Sequence, residues 1–231
     1  MYSTAQIISA FDDSTGLVLA AGAAVFAGAY IQYIEGIRLG FRHKTHAIPV
    51  IANMYFFAHD LVFIGLFGRW FFEIGHWSYM MFWGALVVFS GLEVVVHYQT
   101  LRFSHRELMP WASRRGFIAG YVALQLAVLG VFLLLFLVLD DELFLIHFGI
   151  TEVLSNVFNI PLLMSRGNRK GQSLTLALGL LLGSNVGFFF LFLPALSPAF
   201  TVPWVRTVGV LVTAANLVYI GLLLRARPYR P

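Results

Sequence analysis

Two carboxyl groups, Asp60 and Glu152, stand inside runs of sequence that otherwise read as lipid-soluble. Asp60 lies in "NMYFFAHDLVFIGLFG", residues 53–68, with no lysine or arginine within several residues. An ionisable side chain inside a membrane costs at least about 2.5 kcal/mol on insertion scales, so each one needs a reason. A carboxyl without a cationic partner in apolar surroundings favours its neutral form, and a neutral carboxylic acid in a dry pocket is a proton donor. Helical spacing sets Asn53, Phe56, Phe57 and Ile64 on the face of Asp60, with Tyr55 and His59 beside it. Around Glu152 the same spacing sets Ser155, Asn156 and Asn159, and Asn185 and Asn216 add amides at comparable depth. A polar pocket with aromatic walls is expected, with Asp60 and Glu152 as its catalytic acids and the amides and rings as its substrate-binding lining.

Each of these residues also has a plainer reading. A lone Asn in a membrane helix commonly makes an interhelical hydrogen bond worth well under about 2 kcal/mol, which suffices for Asn53, Asn159 and Asn185. Glu152 could pair with Asp60 or His147 instead of reacting. Glu35, one turn from Arg38, suits a local ion pair. Glu93 and His97 lie near the end of one apolar run. The histidines are scattered without HxxxH or HExxH spacing and cysteine is absent, so no metal site is expected. Trp70, Trp77, Trp111 and Trp204 fall at expected membrane boundaries, where an aromatic belt accounts for them, and most phenylalanines are expected to face lipid. The acidic turn "LDDELF" is expected to be peripheral.

The elements that must position these groups are transmembrane helices. The chain has 231 residues, 59% of them hydrophobic and 11% charged, against roughly 25% charged in soluble domains. Seven segments reach the length of about 20 apolar residues that a bilayer core requires. They fall near 16–39, 46–68, 77–99, 116–139, 143–165, 173–197 and 204–224, within a single domain over 1–231. The first run lacks the basic flank and small-residue cleavage site of a signal peptide and is expected to remain in the mature chain. Arg38, Arg42 and Lys44 follow the first segment; Arg102, Arg106, Arg114 and Arg115 the third; Arg166, Arg169 and Lys170 the fifth; Arg225, Arg227 and Arg230 the seventh. Only Arg69 and Arg206 fall on the other side, which predicts an outside N-terminus and a cytoplasmic C-terminus. "IQYIEGIRLGFRHKTHAIP" and "VLSNVFNIPLLMSRGNRKGQSL" end similarly, suggesting a parallel repeat of three helices, one linker helix and three helices.

This fold class, an all-α seven-helix membrane protein, excludes several functions. The net charge of +4 sits in short loops, which suits phospholipid head groups and not nucleic acid. The only lysines, Lys44 and Lys170, lie in loops, so a retinal Schiff base in the last helix is ruled out. No cofactor is expected, the partners are membrane lipid and a hydrophobic small molecule, and the oligomeric state is not readable. A bacterial inner membrane is favoured over the endoplasmic reticulum.

Three stretches resemble the small integral-membrane terpene cyclases of meroterpenoid and indole-diterpene pathways. The loop "RGNRKGQS", residues 166–173, is similar to that family's Arg-Gly then Gly-x-Ser pattern. The run from Thr45 to Asp60 resembles a segment ending in a glutamate that protonates the substrate, with Asp60 in its place and His59 where tryptophan is usual. "NLVYIGLLLRAR" resembles a helix-seven segment, with Tyr219, Arg225 and Arg227 matching and Asn216 replacing a second essential aspartate. The resemblance implies a metal-free enzyme that protonates an epoxide or alkene of a prenylated substrate and drives cationic ring closure. Asp60 would be the acid, tuned by His59 or Asn53. Tyr55, Phe56 and Phe57 would steady the cations, Glu152, Asn156 or Asn216 would accept the final proton or orient the substrate's oxygen, and Asn185 and Tyr219 would complete the lining. Two competing readings are a transporter of the PQ-loop and SWEET type, although the Pro-Gln pair is missing around Pro161, and a non-catalytic lipid-binding protein.

Overall fold

The computed structural model describes residues 2–229. Arg230, expected among the basic residues after the last span, lies outside them. Among the described residues the chain is helical without strands, and one isolated bridge pairs Asn168 with Arg227. Six helices are long and apolar enough to cross a membrane.

The order begins with α1 (Thr4–Asp13), which the apolar-length reading passed over. It starts with a capping box in which Ser3 Oγ accepts from the Gln6 N–H at 3.3 Å and Gln6 Oε1 accepts from the Ser3 N–H at 3.2 Å. Then follow α2 (Thr15–His43), α3 (Val50–Gly65), α4 (Trp77–Phe103), the short α5 (His105–Leu108) and α6 (Arg114–Leu139). The segment expected at 143–165 is broken into α7 (Leu145–Val157) and α8 (Asn159–Arg166). Pro161 explains the break, because it offers no N–H to the carbonyl of Val157 and its ring crowds that carbonyl. The segment expected at 173–197 runs Leu174–Leu196 as α9 (Leu174–Gly179), a wider π-helical stretch (Leu180–Phe192) and α10 (Leu193–Leu196). The last helix is α11 (Pro203–Arg225).

The stretch expected as a full span at 46–68 is shorter. Pro49 caps α3 with φ −56° and ψ 134°, and α3 ends at Gly65. A π-helical turn, Arg69–Ile74, follows and closes on Gly75 at φ +63°, a left-handed position that glycine fills without strain.

The chain divides into two compact units. In the unit of residues 37–147, α3 packs against α4 and α6. Their side chains tie the three together through backbone carbonyls. Gln125 Nε2 donates to Met54 O at 3.1 Å, and Trp83 Nε1 to Ile64 O at 3.1 Å. Trp70, expected in an interfacial belt, is instead fully buried, stacked on Phe63 at 4.3 Å and on Tyr79 at 5.4 Å. Its indole N–H reaches Phe63 O at 2.6 Å, so the ring is consumed in closing the turn after α3. Trp77, Trp111 and Trp204 are exposed.

In the unit of residues 1–36 and 148–231, the described part of the Leu174–Leu196 helix packs on α11. Gly28 of α2 meets Gly183 so closely that a methyl group at Gly28 would lie 2.5 Å from Gly183 Cα and 2.6 Å from Gly179 O. Small residues at this crossing let two backbones touch, the usual way apolar helices associate in lipid. The loop 166–173 turns at Gly167 (φ +61°) and Gly171 (φ +71°). Arg169 reaches from it to the end of α11, donating to Leu224 O at 2.8 Å and Ala226 O at 3.2 Å, carbonyls that a helix C-terminus leaves without partners. Ser173 caps α9 and donates its hydroxyl to Glu35 Oε1 at 2.7 Å, across 138 residues of sequence.

Candidate functional site

Asp60 is 4% exposed, one turn from the end of α3. Its Oδ1 lies 2.7 Å from Nδ1 of His59, itself 1% exposed. An acid and an imidazole on consecutive helical residues point a full 100° apart at the backbone, so this bond requires both side chains to bend toward each other. A histidine thus stands against this carboxyl, with no arginine or lysine within several residues along the chain.

Aromatic rings pack against His59. The His59 ring meets Phe144 edge-on at 5.5 Å and Phe132 at 5.9 Å. Tyr55, one turn earlier, meets Phe132 at 5.5 Å, and Phe63, one turn later, meets Phe144 at 5.2 Å. Tyr55, His59 and Phe63 thus form one stripe of α3. Phe132 and Phe144 lie 6.1 Å apart at 30°. Both are fully buried, and so are Phe11, Phe63, Phe117 and Phe188, which corrects the expectation that most phenylalanines face lipid. Edge-to-face contact satisfies the ring quadrupole better than alkyl chains can, and gathers these rings inside.

A second carboxyl–imidazole pair lies in the same unit. Asp141 Oδ2 accepts the backbone N–H of His147 at 2.8 Å and lies 2.7 Å from its Nδ1. Asp141 is 1% exposed and His147 fully buried, so Asp141 departs from the expected peripheral turn, whose other acids, Asp140 and Glu142, are exposed. Its burial follows from the left-handed Asp140 (φ 47°) and Phe144 (φ 62°), which fold the turn inward. His147 also packs on Phe132 at 4.9 Å and Phe144 at 5.7 Å.

Other expected lining residues turn elsewhere. Asn53 donates to Glu93 O at 3.5 Å, and Phe57 meets His97 at 4.9 Å, whose Nδ1 is 2.6 Å from Tyr121 Oη. Phe56 is buried along α3. The hydroxyl of Tyr55 is buried with no hydrogen-bond partner among the described residues.

In the other unit the expected amides converge. Asn156 Oδ1 accepts from Asn185 Nδ2 at 3.0 Å and from Asn216 Nδ2 at 2.7 Å, while its own amide donates to Glu152 O at 2.8 Å. All three asparagines are fully buried, and the oxygens of Asn185 and Asn216 have no hydrogen-bond partner among the described residues. Two unmet acceptors in a dry interior suit a donor such as a hydroxyl. Glu152 is buried one turn before Asn156. Tyr219 is instead engaged by Gln172, to whose Oε1 it donates. Among the described residues no three His, Asp or Glu side chains gather as a metal-binding cluster.

Sequence reading missed Phe132, weighed His147 only as a partner for Glu152, and took Asp141 and Phe144 only as part of a peripheral turn. A family model, that of the Pyr4-like transmembrane terpene cyclases, matches residues 13–225. No curated protein and no solved structure matches the chain.

Proposed function

The chain belongs to the Pyr4-like transmembrane terpene cyclases, and from that premise we propose that it closes rings on a prenyl chain by protonation, without a metal ion. The proton goes from Asp60 to an epoxide oxygen or terminal alkene, and the alkenes of the chain then attack in sequence. The observation that carries this reading is the Asp60–His59 pair, whose imidazole meets the rings of Phe132 and Phe144. Acid-initiated cyclisation needs a positioned acid, worth roughly 10²–10⁴ in rate. It also needs π faces that attract cations by about 0.5–2 kcal/mol each, and surroundings without water to quench the intermediates. His59 would hold the Asp60 proton in place and resupply it after each turnover.

Asn156, Asn185 and Asn216 would orient an oxygen of the substrate, with the unmet amide oxygens accepting from a hydroxyl. Glu152 would act as a second acid. Tyr55, Phe56 and Phe57 would steady cations, and Asn53 and Tyr219 would support the lining from behind it. The membrane reading has seven crossings in one domain, with a parallel three-one-three repeat, N-terminus outside and C-terminus in the cytoplasm. Val50–Gly65, roughly 24 Å long by its rise, would be the short crossing, supported by its packing against α4 and α6.

The test is product analysis by mass spectrometry. Membranes carrying the wild type or Asp60→Asn are incubated with geranyl-, farnesyl- and geranylgeranyl-substituted phenols, each with and without a terminal epoxide. Isomeric products of unchanged mass, formed by the wild type and lost in Asp60→Asn, are expected. Equal conversion by both proteins overturns Asp60 as the acid. No conversion of any substrate overturns acid-initiated cyclisation of prenylated phenols.

A further inference from the structure

Protonation begins a cationic cyclisation, but something must end it by removing a proton from the last cation. We infer that His147, held by Asp141, is that proton acceptor, an inference that rests on the cyclase reading above. Asp141 Oδ2 already accepts the backbone N–H of His147 at 2.8 Å, and the same oxygen stands 2.7 Å from Nδ1. Nδ1 therefore carries the hydrogen, and the lone pair of the ring is on Nε2. That atom is buried and has no hydrogen-bond partner among the described residues. An imidazole oriented by a carboxyl at one nitrogen and open at the other has the arrangement of a general base.

The placement fits the end of the reaction. His59 and His147 both pack against Phe132 and Phe144, at 5.9 and 5.5 Å for the first and 4.9 and 5.7 Å for the second. The two imidazoles thus border the same two rings, whose π faces attract cations. In the terminating step a C–H bond next to the cationic carbon breaks and its electron pair becomes the new alkene. The proton passes to Nε2, and the imidazolium is stabilised by Asp141. Asp60 has lost one proton and His147 gained one, so the product is an isomer of the substrate and the proton must return to Asp60 before the next cycle.

The experiment compares full-length wild type, His147→Asn, Asp141→Asn and Asp60→Asn in detergent, with farnesyl-substituted phenol and its terminal epoxide as probes. Both substrate consumption and product identity are read. Asparagine at position 147 keeps a donor for Asp141 but has no base. In a single turnover, with enzyme in excess of substrate, His147→Asn is expected to consume substrate within about tenfold of wild type, because termination follows the committing step. Its single alkene product should give way to double-bond isomers and to a product heavier by one water, and Asp141→Asn should shift the same way to a smaller degree. An unchanged product spectrum in a folded His147→Asn protein overturns the inference, and so does complete loss of consumption. If His147→Asn does not fold, Asp141→Asn decides by the same criterion of product identity. Should Asp60→Asn consume substrate normally, the acid assignment fails, while a shifted product in His147→Asn still supports the acceptor.

Discussion

Asn216 donates its side-chain amide to Asn156 Oδ1 at 2.7 Å. Position 216 is where the resemblance calls for an aspartate. Here the geometry requires a donor, because Asn156 turns its oxygen toward residue 216 and commits its amide to Glu152 O. Asn216→Asp would set an acceptor against an acceptor in a fully buried place. It is expected to lower stability by about 1–3 kcal/mol, read as a drop in Tm of the detergent-purified protein. An Asn216→Asp protein as stable as wild type would show that Asn156 reorients.

Asp60→Asn keeps the shape of the side chain and removes its acidity. Substrate consumption is expected to fall by roughly 10²–10⁴ with little change in Tm, and Asp60→Glu should recover part of it. Initial rates by liquid chromatography and mass spectrometry check both.

His59 and Asp60 act as a unit in the proposed chemistry, so their effects should not add. The double variant His59→Phe with Asp60→Asn is expected to be no slower than Asp60→Asn alone, a coupling of the kind neighbouring residues show. Additive losses would separate His59 from the acid.

The Gly28–Gly183 crossing should tolerate no methyl group. Gly183→Ala would place Cβ 2.4 Å from Gly28 Cα, and overpacking of this sort costs about 1–3 kcal/mol or more. Gly221→Ala, with open space around it, is the control and should melt as wild type does.

The chain has no cysteine, so single cysteines report membrane sidedness without background. A cysteine at exposed Glu73 should react with an impermeant maleimide in intact cells. One at exposed Arg115 should react only after permeabilisation. The reverse pattern would invert the proposed orientation.

Much of this architecture could be read from apolar run length alone, since α2, α4, α6 and α11 lie within a few residues of their expected bounds. Pro49 and Pro161 were visible too, and what they did to α3 and to the break before α8 follows from their missing N–H groups. The convergence of Asn156, Asn185 and Asn216 was legible because buried amides in separate apolar helices have few ways to be satisfied except one another. The Asp141–His147 pair was not legible. Its burial goes with left-handed backbone at Asp140 and Phe144, and a phenylalanine gives no sign of that conformation. The bond from Ser173 to Glu35 was equally hidden, since nothing local in either stretch points to a partner so far along the chain. Thr4–Asp13 did have a signal, the Ser3–Gln6 capping box, which a search for long apolar runs does not weigh.

The contact between Gly28 and Gly183 has a consequence for anyone redesigning this protein. Asn185 stands two residues beyond Gly183 on the same helix, so its angular setting is inherited from a crossing that contains no reactive group. Variation aimed at accommodating longer or bulkier chains can be sought among the rings, where one apolar side chain replaces another at modest cost. A library that randomises the glycines would instead disturb the crossing that carries Asn185, and under the proposed function its members would lose substrate orientation while every reactive residue remained in the sequence.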